Sequence, residues 1–377
     1  MAYLGFALLN RLWPKQEAIL LHCTVGFEDG IQAILDELSA RGLRATVLVE
    51  EPSRPPVLDG PGIKLVPKRS LKGVLQFLGS RWVVTTHSVF ANEAPPPNQV
   101  QVNIWHGEPP TKVTSRFVAG QGGVACTFAP VCSHLGRAYR AAEFDLSPLQ
   151  VPIVGAPRND RMLRADPALI RQALLGDEAG LPTLLWLPSF RAGRWRGDRK
   201  RLDVVADPYP GLPFSASDLR RLDEWLMSQG VRLIVKPHPH DAENLAGTYQ
   251  GIRVLAPETL ESQGLTLYPV LAAFDGLITD VSSVWVDYLL TDKPLIFAFP
   301  DVEDYRRGRG LNLEPYEDWV PGPFTTTVGE LEAALADVVA GRDVMAAERR
   351  LARLRFHRYQ DDQSAARLLD GLGLTAA

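Results

Sequence analysis

Four short clusters carry side chains suited to binding phosphate and moving a proton. The first is Ile104-Trp105-His106-Gly107-Glu108-Pro109-Pro110, which follows an apolar run beginning at Val100. Gly107 and the two prolines keep helix or sheet from continuing, so His106 is displayed in a fixed loop. Imidazole accepts a proton near neutral pH, which makes His106 a general-base candidate. A structural histidine bonded to the loop backbone is the competing reading. The second cluster is Val235-Lys236-Pro237-His238-Pro239-His240. Prolines on either side of His238 hold the backbone extended, and Lys236 adds a positive charge suited to an anionic oxygen. A solvated surface loop is the alternative; metal binding ranks low, because only Asp241 accompanies the two histidines at ligand spacing.

The third cluster, Gly276-Leu277-Ile278-Thr279-Asp280-Val281-Ser282-Ser283-Val284-Trp285-Val286-Asp287, is the most specific. An apolar strand turns through Thr279, Asp280, Ser282 and Ser283 into a helix, gathering hydroxyls and N–H groups at a partly positive helix start that suits phosphate. Simple N-capping by Ser282 or Ser283 is compatible with that role. The fourth is the basic run Arg191, Arg194, Arg196, Arg199, Lys200 and Arg201, opened by Pro188-Ser189-Phe190. Six basic residues against one acid, Asp198, give a local +5 within a chain of net charge -4. Arg191, nearest the strand end, is assigned to phosphate, and the others to an anionic acceptor or lipid surface.

Several chemistries are excluded or ranked low. There is no GxxxxGK[ST] phosphate loop. Gly120 to Ala125 fits the looser GxGxxA pattern but lacks a preceding strand, and reads as a flexible loop. No Asp-x-Asp pair is present to hold a divalent cation on a nucleotide, so no cofactor or metal is assigned; Mg is compatible with the reading but not indicated by it. Cys23, Cys126 and Cys132 cannot all pair and form no CxxC, which points to reduced thiols. With 40 basic and 44 acidic side chains there is no global field for nucleic acid. The opening apolar stretches are broken by Asn10, Arg11, Lys15, Gln16 and Glu17, so neither a membrane span nor a secretory signal is expected, and peripheral contact is left open.

The elements that must position these clusters read as α/β. The 377 residues, 46% hydrophobic and 22% charged, exceed one core and suggest two domains. Strands are expected at 18–23, 44–49, 63–66, 82–86 and 100–105, with helices between them from the spacing of Ile31, Ile34, Leu35 and Leu38 and over 71–78. A polar, proline-bearing stretch around 157–182 separates this series from a second, with strands at 183–187, 232–236, 252–255, 276–279 and 294–298 and helices over 219–227 and 284–290. Such alternation predicts parallel sheets with ligands beyond the carboxyl ends of the strands, in a cleft between two halves.

In this order the clusters resemble the CDP-glycerol glycerophosphotransferase family, the teichoic acid glycerol phosphate primases and polymerases. The matching pieces are Trp105-His106-Gly107; Gly155-Ala156-Pro157-Arg158-Asn159-Asp160; Leu187-Pro188-Ser189-Phe190-Arg191; Lys236-Pro237-His238-Pro239; Thr279-Asp280-Val281-Ser282-Ser283 with Asp287; Lys293-Pro294; and Pro300-Asp301 through Tyr305-Arg306 to Arg309-Gly310. The family usually has Thr-Pro-Leu-Lys after its His-Gly, where this chain has Glu108-Pro109-Pro110-Thr111-Lys112, and tyrosine where Val281 stands.

The resemblance implies a GT-B-like fold of two Rossmann-type domains facing each other across a cleft: an acceptor-side domain over 1–160, a CDP-polyol-binding domain over 161–350, and a C-terminal helix over 351–377 that packs back on the first half. It implies catalytic roles for His106 and His238, and substrate contacts from Arg191, Lys236, Thr279, Asp280, Ser282, Ser283, Asp287, Gly107, Arg158 and Arg309. The implied reaction passes glycerol phosphate from CDP-glycerol, or another CDP-polyol, to a hydroxyl of a lipid-linked (polyprenyl diphosphate) glycan, releasing CMP. A cytoplasmic enzyme peripheral to the inner face of the membrane, of the short primase-like kind, is expected. Ribitol phosphate transfer from CDP-ribitol, a GT-B glycosyltransferase using a sugar nucleotide, and a nucleotide-binding protein without turnover are the alternatives.

Overall fold

In the computed structural model, which describes residues 2–22, 29–50, 62–90, 92–108, 111, 113–118, 121–189, 212–236, 249–308 and 310–375, the apolar runs form two all-parallel sheets. The first holds β1 (Gln16–His22), β2 (Ala45–Val49), β3 (Ile63–Pro67), β4 (Ser80–Thr85) and β5 (Val100–Asn103), in the order β3-β2-β1-β4-β5. A parallel sheet is covered on both faces, which is why its strands are nearly continuous in apolar residues. Alternate side chains divide between the faces. Ile19, Leu21, Val47, Trp82 and Val84 pack with Ile31, Ile34 and Leu38 of helix Asp29–Ala40, and with Leu368 and Leu369 of helix Ser364–Gly371. Leu20, Leu48, Val66 and Val83 pack on the opposite side with Phe77 and Leu78 of helix Leu71–Gly79. Leu20 and Leu21 are both fully buried, and burial of each contributes about 1.5–3 kcal/mol.

The second sheet holds β6 (Thr183–Trp186), β7 (Arg232–Val235), β8 (Ile252–Val254), β9 (Gly276–Thr279), β10 (Leu295–Ala298) and β11 (Phe324–Thr325), in the order β11-β10-β9-β6-β7-β8. Its core joins Leu184, Trp186, Leu233, Val235, Ile278 and Ile296 to helices Ala216–Gln229 and Val328–Val339. Both helices begin with capping boxes, Ser215 with Asp218 and Thr327 with Glu330. In each sheet the strand order reverses beside its first strand, between β1 and β4 and between β6 and β9. In open α/β sheets this reversal marks the ligand side.

The chain divides into two compact units, one of Met1–Pro109, Thr114–Arg164 and Phe356–Ala377, the other of Pro110–Val113 and Ala165–Arg355. The C-terminal helix is therefore part of the first unit's core. Asp160 accepts N–H bonds from Ser364 (3.0 Å) and Ala365 (2.8 Å) at the start of that helix. Gly155, at φ +94°, lies where any Cβ would strike Ser364.

The α/β class expected from the sequence is present, with one parallel sheet in each of the two units. The polar stretch around 157–182 differs from the expectation of a simple separator, because it contains helices Pro157–Arg164 and Pro167–Leu175. Each opens on proline, which fits a first helical turn, and Asp166 caps the second. Arg158, Asn159 and Asp160 are buried despite their polarity, which hid this segment from a hydrophobic pattern. The opening stretch forms helix Ala2–Leu12, and Phe6 stacks on Phe77 with ring centroids 5.9 Å apart. Among the described residues no helix is long and apolar enough to cross a membrane.

Candidate active site

His106 stands three residues beyond the end of β5, on a loop held by several independent restraints. Trp105 adopts φ +41°, a left-handed conformation rarely taken by a bulky residue. Its N–H donates to Asn103 Oδ1 (2.9 Å). Arg140, fully buried in helix His134–Phe144, donates from Nη2 to the Gly107 carbonyl (2.8 Å) and from Nη1 to Glu143 Oε2 (2.8 Å). Its guanidinium also lies 5.5 Å from the Trp105 ring and 4.5 Å from that of Phe144. Thr114 donates its hydroxyl to Glu143. Burial pulls the Arg140 pKa below the ordinary arginine value, while Glu143 and Glu108 act in the opposite direction.

Glu108, the acid next to the base candidate, is buried. Its Oε2 accepts the Cys132 N–H (3.3 Å), and its Oε1 lies 3.6 Å from Arg158 Nη2. Arg158 and Gly107 therefore stand among the groups that fix the loop. The Gly155 to Asp160 segment ties the loop, through Arg158, to the C-terminal helix, through Asp160.

Sequence reasoning missed a row of polar side chains along the same sheet edge. His22 ends β1, Glu50 follows β2, Lys68 follows β3 and His87 lies two residues past β4. Lys68 Nζ donates to Glu50 Oε1 (2.6 Å), which also lies 3.3 Å from His22 Nε2. His22 is fully buried; burial first, and then Lys68, lower its pKa to about 4, so it is neutral at pH 7. The His87 ring stacks on His106, with centroids 4.5 Å apart and planes 6° from parallel. The available signal was a polar residue closing each apolar run at the edge where parallel sheets bind ligands.

In the second unit the strand ends at the reversal are stitched together by Asp280. Its Oδ2 accepts the Ser189 N–H (2.9 Å) beyond β6, its Oδ1 accepts the Ser282 N–H (3.2 Å), and its carbonyl accepts the Tyr316 hydroxyl (2.8 Å). Thr279 donates its hydroxyl to the Leu187 carbonyl (2.8 Å), and Asp287 Oδ2 accepts from Tyr268 (2.7 Å). Thr279, Asp280 and Asp287 are buried and organise the turn. Ser282 and Ser283 are half-buried on it. Ser283 occupies the N-cap position of helix Val284–Tyr288 but makes no side-chain capping bond, so the capping role does not consume its hydroxyl.

Lys236 lies just past β7, its backbone N–H on the Trp186 carbonyl (3.0 Å). Burial lowers its pKa, and among the described residues no acid pairs with its ammonium. A partly desolvated cation after β7 and two half-buried hydroxyls after β9 stand at the carboxyl edge of the same parallel sheet, the edge where such sheets take anionic ligands. Lys293, by contrast, is spent on structure, donating to the Ala272 (2.7 Å) and Phe274 (2.8 Å) carbonyls. Arg191 with the rest of its basic run, His238 and Arg309 lie outside the described residues. No group of three or more potential metal ligands occurs among the described residues.

A family model for CDP-Glycerol:Poly(glycerophosphate) glycerophosphotransferase matches residues 6–373. The chain is 29% identical over 206 residues to the teichoic acid ribitol-phosphate primase of Bacillus spizizenii, covering 52% of this chain and 46% of that protein. It is 26% identical over 291 residues to the teichoic acid ribitol-phosphate polymerase TarL of Staphylococcus aureus, covering 73% and 48%. The chain thus spans about half the length of these curated relatives. Among solved structures it resembles the wall teichoic acid polymerase TagF, with a TM-score of 0.73 and 16% identity over 95% of this chain and 88% of that one.

Proposed function

The chain belongs to the CDP-glycerol:poly(glycerophosphate) glycerophosphotransferase family, and from that premise we propose that it transfers glycerol phosphate from CDP-glycerol to a hydroxyl of a lipid-linked glycan acceptor, releasing CMP. The observation that carries the chemistry is the His106 loop, in which a left-handed Trp105, the Arg140 clamp and a stacked ring hold one imidazole in a fixed attitude. His106 takes the proton from the acceptor hydroxyl as its oxygen bonds to the β-phosphorus. The bond from that phosphorus to the bridging oxygen breaks, and the electron pair leaves with CMP. Lys236, Ser282 and Ser283, with Arg191, His238 and Arg309, bind the diphosphate and neutralise its charge; Thr279, Asp280 and Asp287 shape the turn that presents them.

Ribitol phosphate transfer from CDP-ribitol is the second reading, favoured by the ribitol-phosphate names of the relatives above. A cytoplasmic place on the inner membrane surface, where a polyprenyl-linked acceptor would be met, is supported by leucines exposed on the first unit. Leu8 (59%) and Leu12 (72%) of the first helix, and Leu71 (77%) beside Lys72 on the helix it packs against, give apolar contact flanked by positive charge.

The deciding experiment follows nucleotide release from CDP-glycerol, CDP-ribitol and UDP-sugars with a lipid-linked glycan acceptor in anionic vesicles. CMP from a CDP-polyol, lost in His106→Ala, is the expected result. UDP release would replace the reading with a sugar transferase, and CMP release by His106→Ala at the wild-type rate would remove the base assignment.

A further inference from the structure

We propose that His87 is a positioning residue that fixes the plane of the His106 imidazole by stacking on it from the carboxyl end of β4. The role in turnover rests on the function proposed above; the stacking itself does not. The terminal torsion of a histidine side chain is broad, so the aim of a catalytic nitrogen must be set by its neighbours. His87 is well placed to set it. Thr85, at the end of β4, pairs in register with Asn103 at the end of β5, and the Ile104 N–H bonds to the Thr85 carbonyl (2.8 Å), so the two loops leave the sheet side by side.

His87 is itself anchored. Its N–H donates to Thr85 Oγ1 (3.1 Å), the Thr85 hydroxyl donates to the His87 carbonyl, and its Nδ1 lies 3.1 Å from Thr86 Oγ1. Both threonines are buried. Trp105 closes the group, its ring 5.3 Å from His87 and 4.4 Å from His106. His106 itself is exposed, and the two rings against it limit how far its plane can turn.

Among the described residues, the charged and titratable groups along this edge include His22 from β1, Glu50 from β2, Lys68 and Arg69 from β3, and His106 from β5. Burial, and then the Lys68 charge, lower the His87 pKa. An uncharged ring can lie against His106 when that residue accepts a proton, whereas a second imidazolium there would repel it.

The test compares the wild type, His87→Ala and His87→Phe, the last keeping a flat ring while discarding the nitrogens. With seven histidines in the chain, the ring protons of His106 can be assigned by NMR against His106→Asn. A ring-current upfield shift of those protons is expected in the wild type and in His87→Phe, and its loss in His87→Ala. For CMP release from CDP-glycerol, His87→Ala should lower kcat about 10- to 100-fold with KM within about twofold, as for a misaligned base, and His87→Phe should recover kcat to within about threefold of wild type. A His106 shift unchanged in His87→Ala overturns the proposal, as does a lost shift with kcat unaltered. If the wild type releases no CMP from any CDP-polyol, the proposed function falls, while the ring-proton shifts still decide whether His87 fixes His106.

Discussion

Replacing Arg140 with methionine tests whether a buried charge network positions the His106 loop. The guanidinium is fully buried and makes 2.8 Å bonds to the Gly107 carbonyl and to Glu143 Oε2. Methionine fills much of the stem's volume but leaves the carbonyl without that donor and the buried carboxylate without its cation. Breaking one side of a buried pair costs about 3–5 kcal/mol. At about 2–4 °C per kcal/mol for a unit of this size, the first unit's melting midpoint should fall by roughly 6–20 °C. Arg140→Met combined with Glu143→Leu removes both charges, an exchange that is often near neutral, so most of the midpoint should return. Activity should not return with it, because the Gly107 anchor and the cation against Trp105 remain absent. Thermal melts and CMP release from CDP-glycerol read the two effects separately. A single variant costing less than about 1 kcal/mol, or a double variant that regains activity together with stability, would refute the reasoning.

Two further outcomes concern the second unit. Asp280→Asn leaves one oxygen where two accept N–H bonds, and should cost about 1.5–3 kcal/mol in urea unfolding together with weaker CDP-glycerol binding by calorimetry; binding at wild-type strength would confine Asp280 to folding. For Lys236, burial lowers the pKa, so the ammonium is present at low pH and is lost as pH rises, before an ordinary lysine of about 10.4 would titrate. CDP-glycerol affinity in the wild type should therefore decline with rising pH before an ordinary lysine of about 10.4 would titrate, and hold in Lys236→Arg; a wild-type affinity flat to pH ~10.4 would contradict the assignment.

The strands were legible because parallel sheets bury both faces. The runs expected at 63–66, 183–187 and 276–279 appear within a residue or so as β3, β6 and β9. The motifs following those runs were legible for the same reason, since a polar turn after an apolar strand falls at the ligand edge. Other features were not. β11 is two residues long and carries no periodicity. The clamp on His106 depends on Arg140, which lies in a helix more than thirty positions away and is buried, a place where composition predicts no arginine. His87 follows an ordinary strand in an unremarkable Thr-Thr-His sequence; only the pairing of β4 with β5 brings it against His106. The individual roles within the motifs were equally hidden. Thr279, Asp280 and Asp287 read as ligand contacts in sequence, and nothing there signals the hydrogen bonds they also make to Leu187, Ser189, Ser282 and Tyr268.

That internal use of acids bears on how a chain of net charge -4 can receive a nucleotide diphosphate. Acids close to the candidate binding groups would repel phosphate if they faced it ionised. Here they are turned inward and consumed. Glu108 is held between Arg158 and the Cys132 N–H, Glu143 takes Arg140 and Thr114, and Glu50 takes Lys68. Asp280 takes two backbone N–H groups and Asp287 a tyrosine hydroxyl. Lys236 keeps its charge without an acid beside it among the described residues. Among the described residues, a partly desolvated cation and N–H and hydroxyl dipoles therefore contribute to the local field at the carboxyl edge of the second sheet, and the net charge of the chain says little about it. Neutralising surface acids elsewhere changes the total but leaves this arrangement intact, whereas the loss of Lys236 removes the one cation placed there by the described strands.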